Sequence, residues 1–174
     1  MDCGEKKRMS VPDKYLRKIL TAQIYDVAKE TPLEEAATLS ERLQNRVLLK
    51  REDLQSVFSF KLRGAYNKMS KLSASEMEQG VVAASAGNHA QGVALAARKL
   101  GIKATIFMPE TTPGIKVNAV RSYGAMTKLV GDSYDEAYQS ASDYCKEKGS
   151  IFIHPYDDPD IIAGQGTIGF EILK

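Results

Sequence analysis

From Val81 onward, short apolar runs alternate with longer amphipathic ones, the pattern of parallel strands joined by crossover helices. Residues 81–84 (VVAA) predict a strand. After an SAGN turn, residues 89–100, rich in Ala and Leu, predict a helix that Gly101 closes in the left-handed conformation a helix end favours. Residues 103–108 (KATIFM) predict the next strand, Pro113 a first helical turn, and residues 115–123 a short helix stopped by Gly124. Residues 126–130 give a third strand, and Ser133 with Glu136 spells a capping box. In the helix that follows, Tyr134, Ala137, Tyr138, Ala141, Tyr144 and Cys145 fall on one stripe, and Gly149 ends it. Residues 151–153 supply a fourth strand. Four strands joined by three helices through right-handed crossovers predict an α/β fold with an open, doubly wound, mostly parallel sheet.

The earlier part of the chain has a different character. Residues 15–28 and 34–43 predict two helices, residues 47–51 (VLLKR) a strand, and residues 60–72 a helix with Lys61 in its first turn. The final GQGTIGFEILK reads as a helix cut short, so an incomplete second lobe is expected.

Composition narrows the classes. Hydrophobic residues at 43% and charged residues at 26% exclude a disordered chain. The formal charge of +2 gives no broad positive field, so neither nucleic acid nor an anionic membrane is an expected partner. Cys3 and Cys145 have no metal-ligand or disulfide spacing, which fits a reducing intracellular setting and no metal. No stretch reaches the length of a membrane span, and no organelle transit peptide is visible after the basic start. A soluble, cytoplasmic protein is the expectation, with plastid or mitochondrion open for a eukaryotic source.

Ligands of open α/β sheets sit beyond the carboxyl ends of the strands, where helix N-termini expose free N–H groups. Ser85, Gly87, Asn88 and His89 occupy that place after the first strand of the sheet, and they read either as an anion site or as an ordinary turn with an Asn cap. Lys61 reads either as a solvated helix lysine or as a nucleophile, since Phe58, Phe60 and Leu62 crowd it and a helix N-terminus disfavours a cation. Arg63 and Arg51 are compatible with surface charges. Gly87 and Gly92 open a helix after a strand, but the spacing is not G-x-G-x-x-G, so a dinucleotide-binding module ranks low.

The string SFKLRGA, Ser59 to Ala65, resembles the Schiff-base lysine motif of fold-type-II (tryptophan synthase β-like) pyridoxal-phosphate enzymes, and ASAGNHAQG, Ala84 to Gly92, resembles their substrate loop. The stretches YLRKIL, KREDLQSVFSFKLRGAYN, IKVNAVRSYGA, GDSYDEA and IAGQGTIGFEIL are similar to the biosynthetic threonine dehydratases in particular. The resemblance implies pyridoxal 5′-phosphate held by Lys61, Phe60 packed near its ring, and Asn88 against the ring. It further implies Ser85, Gly87, Asn88 and His89 as receivers of the substrate carboxylate. Residues from about 53 to 157 would be a small mobile Rossmann-like lobe, with 1–52 and 158–174 parts of a larger one. The implied reaction is dehydration and deamination of L-threonine, and of L-serine, by a homo-oligomer when full length. Serine racemase and the catabolic serine/threonine dehydratases share the same lysine and Asn loop and are the near alternatives. The family's phosphate cradle and the Ser or Thr at its pyridine nitrogen are not in this sequence, so these 174 residues alone are expected to be catalytically incompetent.

Overall fold

In the computed structural model, residues 10–174 are described; Cys3 and the basic cluster at 6–8 lie outside them. The chain begins with α1 (Val11–Leu20), a strand β1 (Leu33–Glu35), α2 (Ala37–Leu43), β2 (Leu48–Lys50) and a single 3₁₀ turn, Glu52–Leu54. Next come α3 (Lys61–Met69) and α4 (Ala74–Gln79). The second half is β3 (Val81–Ala84), α5 (Asn88–Leu100), β4 (Ala104–Met108), α6 (Gly114–Ser122), β5 (Met126–Leu129), α7 (Tyr134–Lys148), β6 (Ile151–Phe152) and α8 (Pro159–Ile172).

The sheet runs β5-β4-β3-β6 with every pairing parallel, so the predicted open doubly wound arrangement is what forms. Side chains alternate across a strand, and the two faces sort accordingly. Val81, Ala83, Ile106 and Met108 bury against α3, α5 and α6, whereas Val82, Ala84 and Phe107 bury against Ala137 and Ala141 of α7. Ser133 and Glu136 form the expected capping box, each side chain accepting from the other's backbone N–H. Gly101 and Gly149 end α5 and α7 in the left-handed conformation.

Three expectations from the first 80 residues are corrected. The helix predicted over 15–28 is α1, which starts earlier under a Ser10–Asp13 capping box and stops at Leu20. Past Thr21 the backbone is captured from outside: the Asn67 side chain accepts from Gln23 N and the Gln55 side chain from Lys29 N, while Ile24 and Ala28 bury against Val57 and Leu62. Residues 34 and 35 are strand, paired antiparallel with β2 through Glu34 opposite Leu49 and Glu35 opposite Leu48, so α2 begins only at Ala37. The helix predicted over 60–72 ends at Met69, and α4, unexpected from the sequence, follows on a second capping box, Ser73 with Glu76.

Helix α3 is buried nearly all round, wedged between α5 and α8. Two glycines permit the α3–α8 crossing: a Cβ on Gly64 would lie 2.8 Å from Ile161 O, and one on Gly164 would lie 2.6 Å from Arg63 O. On its α8 side the helix that begins with Lys61 is therefore held by backbone-to-backbone contact.

Candidate active site

Lys61 is the first residue of α3, and its backbone N–H donates to Ser59 Oγ at 3.3 Å. Its approach is constrained, because Phe58, three residues earlier, adopts φ +54°, a left-handed conformation that costs a non-glycine residue about 1–3 kcal/mol. The amine is partly buried. It lies 5.4 Å from the centre of the Phe60 ring and donates to Pro155 O at 2.7 Å. No carboxylate pairs with it among the described residues, and burial holds its pKa below the ordinary lysine value. A cation at a helix N-terminus is disfavoured for the same sign reason.

The SAGN loop leaves β3 at its carboxyl end and enters α5 at Asn88. Gly92, one turn into α5, packs on the lysine's own backbone: a Cβ there would sit 3.0 Å from Lys61 C and 2.9 Å from Leu62 N. Residues four apart share a helix face, so the face of α5 that carries Asn88 is the one seated on Lys61. Asn88 is exposed and its amide has no hydrogen-bond partner among the described residues. Ser85 Oγ accepts from Gly87 N at 3.2 Å, which shapes the loop. His89 departs from expectation. Its side chain is buried, 4% exposed, and Nε2 donates to Ile153 O at 2.9 Å. Burial first, with Lys61 and His154 adding repulsion, pushes its pKa down to about 4, so it is a neutral tether between α5 and the chain leaving β6. Any contact His89 offers a carboxylate comes from its backbone N–H.

Residues 24–174 match the family model described as pyridoxal-phosphate dependent enzyme. The chain belongs to that family. It is 58% identical over 163 residues to the biosynthetic L-threonine dehydratase IlvA of Burkholderia multivorans, covering 92% of this chain and 32% of that protein. It is also 58% identical over 160 residues to the chloroplastic biosynthetic threonine dehydratase 1 of Solanum lycopersicum, covering 92% and 26%. Among solved structures, the processed form of threonine deaminase isoform 2 from Solanum lycopersicum superposes with a TM-score of 0.88 at 55% identity, over 91% of this chain and 44% of that one. Maize serine racemase superposes at 0.85 with 32% identity, over 92% and 48%. The chain thus spans between a quarter and a third of the curated relatives it matches.

The donors present suit the family's cofactor. A Schiff-base lysine is favoured by burial that disfavours its charged form and by the lack of a competing carboxylate; burial lowers the Lys61 pKa, and no carboxylate pairs with it among the described residues. Membership also disposes of the dinucleotide-binding reading of Gly87 and Gly92. Among the described residues no group of side chains could hold a metal ion, and no helix is long and apolar enough to cross a membrane.

Two features escaped the sequence. Arg63 is wholly buried, forked onto Glu52 at 2.8 Å by both Nε and a terminal nitrogen, and onto Glu171 at 2.6 and 3.0 Å. Lys50 joins Glu171 at 2.6 Å and Tyr25 donates to it at 2.9 Å, so two cations meet two carboxylates. Although burial pushes Glu171 upward, the hydrogen bonds from Arg63, Lys50 and Tyr25 hold its pKa below the usual range. Local spacing could not find this cluster, because its members come from β2, the 3₁₀ turn, α3 and α8. The second feature is the His154-Pro155-Tyr156 segment beside Lys61, whose only sequence signal was its place at the carboxyl end of the fourth strand. A concavity of about 260 Å³ lined by Gly80, Lys103, Thr105, Tyr144 and Ser150 opens at the amino ends of the strands, away from Lys61, and has no part in the site.

Proposed function

We propose that the protein containing this segment dehydrates and deaminates L-threonine to 2-oxobutyrate and ammonia, and accepts L-serine as a lesser substrate. The observation that carries the reading is Lys61: a half-buried amine with a depressed pKa, bonded among the described residues only to a carbonyl and backed by the helix that presents Asn88. Support for threonine dehydration over racemisation comes from the 58% identity to biosynthetic dehydratases against 32% to maize serine racemase.

Bound pyridoxal phosphate supplies an electron sink for the charge left when the substrate loses its α-proton. The chain's own residues do the rest. Lys61, whose neutral fraction burial raises, takes the α-proton at its Nζ. The first turn of α5, with the free N–H groups of Asn88 and His89 beside Ser85 and Gly87, binds the substrate carboxylate, and the Asn88 amide orients the ring. Phe60, whose ring centre lies 5.4 Å from the amine, packs beside it. In this reading residues 53–157 act as the lobe that closes on the amino acid.

Incubation with pyridoxal phosphate, borohydride reduction and peptide mapping should place the label on Lys61. In a full-length protein carrying this segment, Lys61→Ala should abolish 2-oxobutyrate formation from L-threonine while leaving the thermal melt in place. A label on another lysine, or ketoacid formed by the variant at the normal rate, would remove the reaction centre.

A further inference from the structure

Pro155, whose carbonyl holds the Lys61 amine, lies on a short segment fixed from both ends by histidines. At the near end His89 Nε2 donates to Ile153 O at 2.9 Å, and Ile153 N donates to Val82 O at 2.8 Å, which anchors the exit of β6 to the sheet. At the far end the His154 side chain folds forward over its own turn. Its Nδ1 accepts from Tyr156 N at 3.2 Å and from Asp157 N at 2.7 Å, and the Tyr156 ring stands edge-on to the imidazole with centroids 4.6 Å apart. A nitrogen accepting two backbone N–H groups carries no proton of its own, so the ring proton sits on Nε2.

The Tyr156 N–H and the Pro155 carbonyl belong to one peptide unit, and the described residues contain only trans peptides. In a planar trans unit the N–H and C=O point in opposite directions, so fixing one aims the other. We infer that His154 is a positioning residue for Lys61: by holding the Tyr156 N–H on Nδ1 it aims the Pro155 carbonyl at the lysine amine, parking Nζ beside Phe60 until an aldehyde takes it. The assignment rests on Lys61 being the cofactor lysine. It explains how the amine is held without a carboxylate among the described residues, and it gives the HPY segment a task that burial alone does not require, since Tyr156 is 67% exposed.

The acceptor on Nδ1 is what matters, and the choice of variants isolates it. An Asn at this position offers Oδ1 to the same two N–H groups as an Asx-turn, whereas Gln reaches past them and Ala offers nothing. The readout is reductive methylation of the chain with formaldehyde and cyanoborohydride at one pH below the lysine's midpoint, with the Lys61 peptide quantified against that of Lys50, which is buried in the ion cluster. Freed from its carbonyl, the ammonium of Lys61 is less stabilised, so His154→Ala and His154→Gln should methylate Lys61 about tenfold faster than wild type. His154→Asn should stay within about twofold of wild type, since it keeps the acceptor. Lys50 should react equally in all four proteins.

Three results would overturn the assignment: wild-type Lys61 rates in the Ala variant, an Asn variant no slower than Ala, or a parallel rise at Lys50, which would mark His154 as a general packing residue. Because the Asn and Gln variants keep a polar side chain of similar size, their comparison decides the matter even where Ala lowers the melt. Borohydride trapping with pyridoxal phosphate on the same proteins separates this question from the assignment of Lys61, which can fail while the methylation contrast stands.

Discussion

Acidification from pH 7 to pH 4 should remove a definable share of stability through one side chain, His89. In the folded chain its imidazole is buried, bonded to Ile153 O and neutral, with a pKa near 4; in the unfolded chain it titrates at the ordinary value near 6.5. The unfolded state therefore binds the proton first. Stability is intact above pH 6.5, falls as pH drops from there toward 4, and levels off below, where both states are protonated. With those two values the loss is about 2 kcal/mol at pH 5 and about 3 kcal/mol at pH 4. Carboxylates held down in the folded state, such as Glu171, Asp158 and Asp160, lose stability in the same acid range, so the raw curve cannot assign the effect. His89→Gln isolates it, because a glutamine amide can donate to Ile153 O and does not titrate. Urea unfolding of both proteins at pH 7, 6, 5 and 4 should show the wild type losing about 3 kcal/mol relative to the variant across the series. A difference that stays constant with pH would mean that His89 is solvated or already charged, and the tether between α5 and the β6 exit would be misread.

Two further perturbations test how Lys61 is held. Arg63→Leu strands Glu52 and Glu171 without their shared cation and should cost about 3–5 kcal/mol by urea unfolding, and a loss below about 1 kcal/mol would show that the cluster is solvated. Gly92→Ala drives a methyl into the backbone of Lys61 and Leu62, so it should lower stability by about 1–3 kcal/mol and reduce the borohydride-fixed yield at Lys61; unchanged values for both would mean that α5 is not seated on the lysine.

The sheet was legible because its information is local. Strands of the β3 kind, buried on both faces, read as unbroken apolar runs, and the helices between them carry their own stops in Gly101 and Gly149 and their own start in Ser133–Glu136. Most of the stripe on α7 survives in the structure, with Ala137 and Ala141 buried and Tyr138, Tyr144 and Cys145 packed beside them, whereas Tyr134 at its start is exposed. Family motifs marked Lys61 and the Ser85–His89 loop; of the residues expected to crowd the lysine, Leu62 is buried and Phe60 lies beside the amine, whereas Phe58 is 79% exposed.

Beyond those elements, tertiary contact decided. Residues 21–28 leave their helix because Asn67 and Gln55, distant in sequence, bond their backbone groups, and residues 34 and 35 become strand because β2 supplies the partner. Arg63 looked like a surface charge because nothing within a helical turn of it is acidic; Glu52 and Glu171 arrive from elements 11 and 108 residues away. The family resemblance, not local pattern, offered His89 for the substrate carboxylate, and only the neighbouring Ile153 carbonyl and the loss of solvent show its side chain to be a neutral strut. Periodicity and capping record how a segment meets water and its own backbone, whereas desolvation and long-range pairing exist only once the chain has closed on itself.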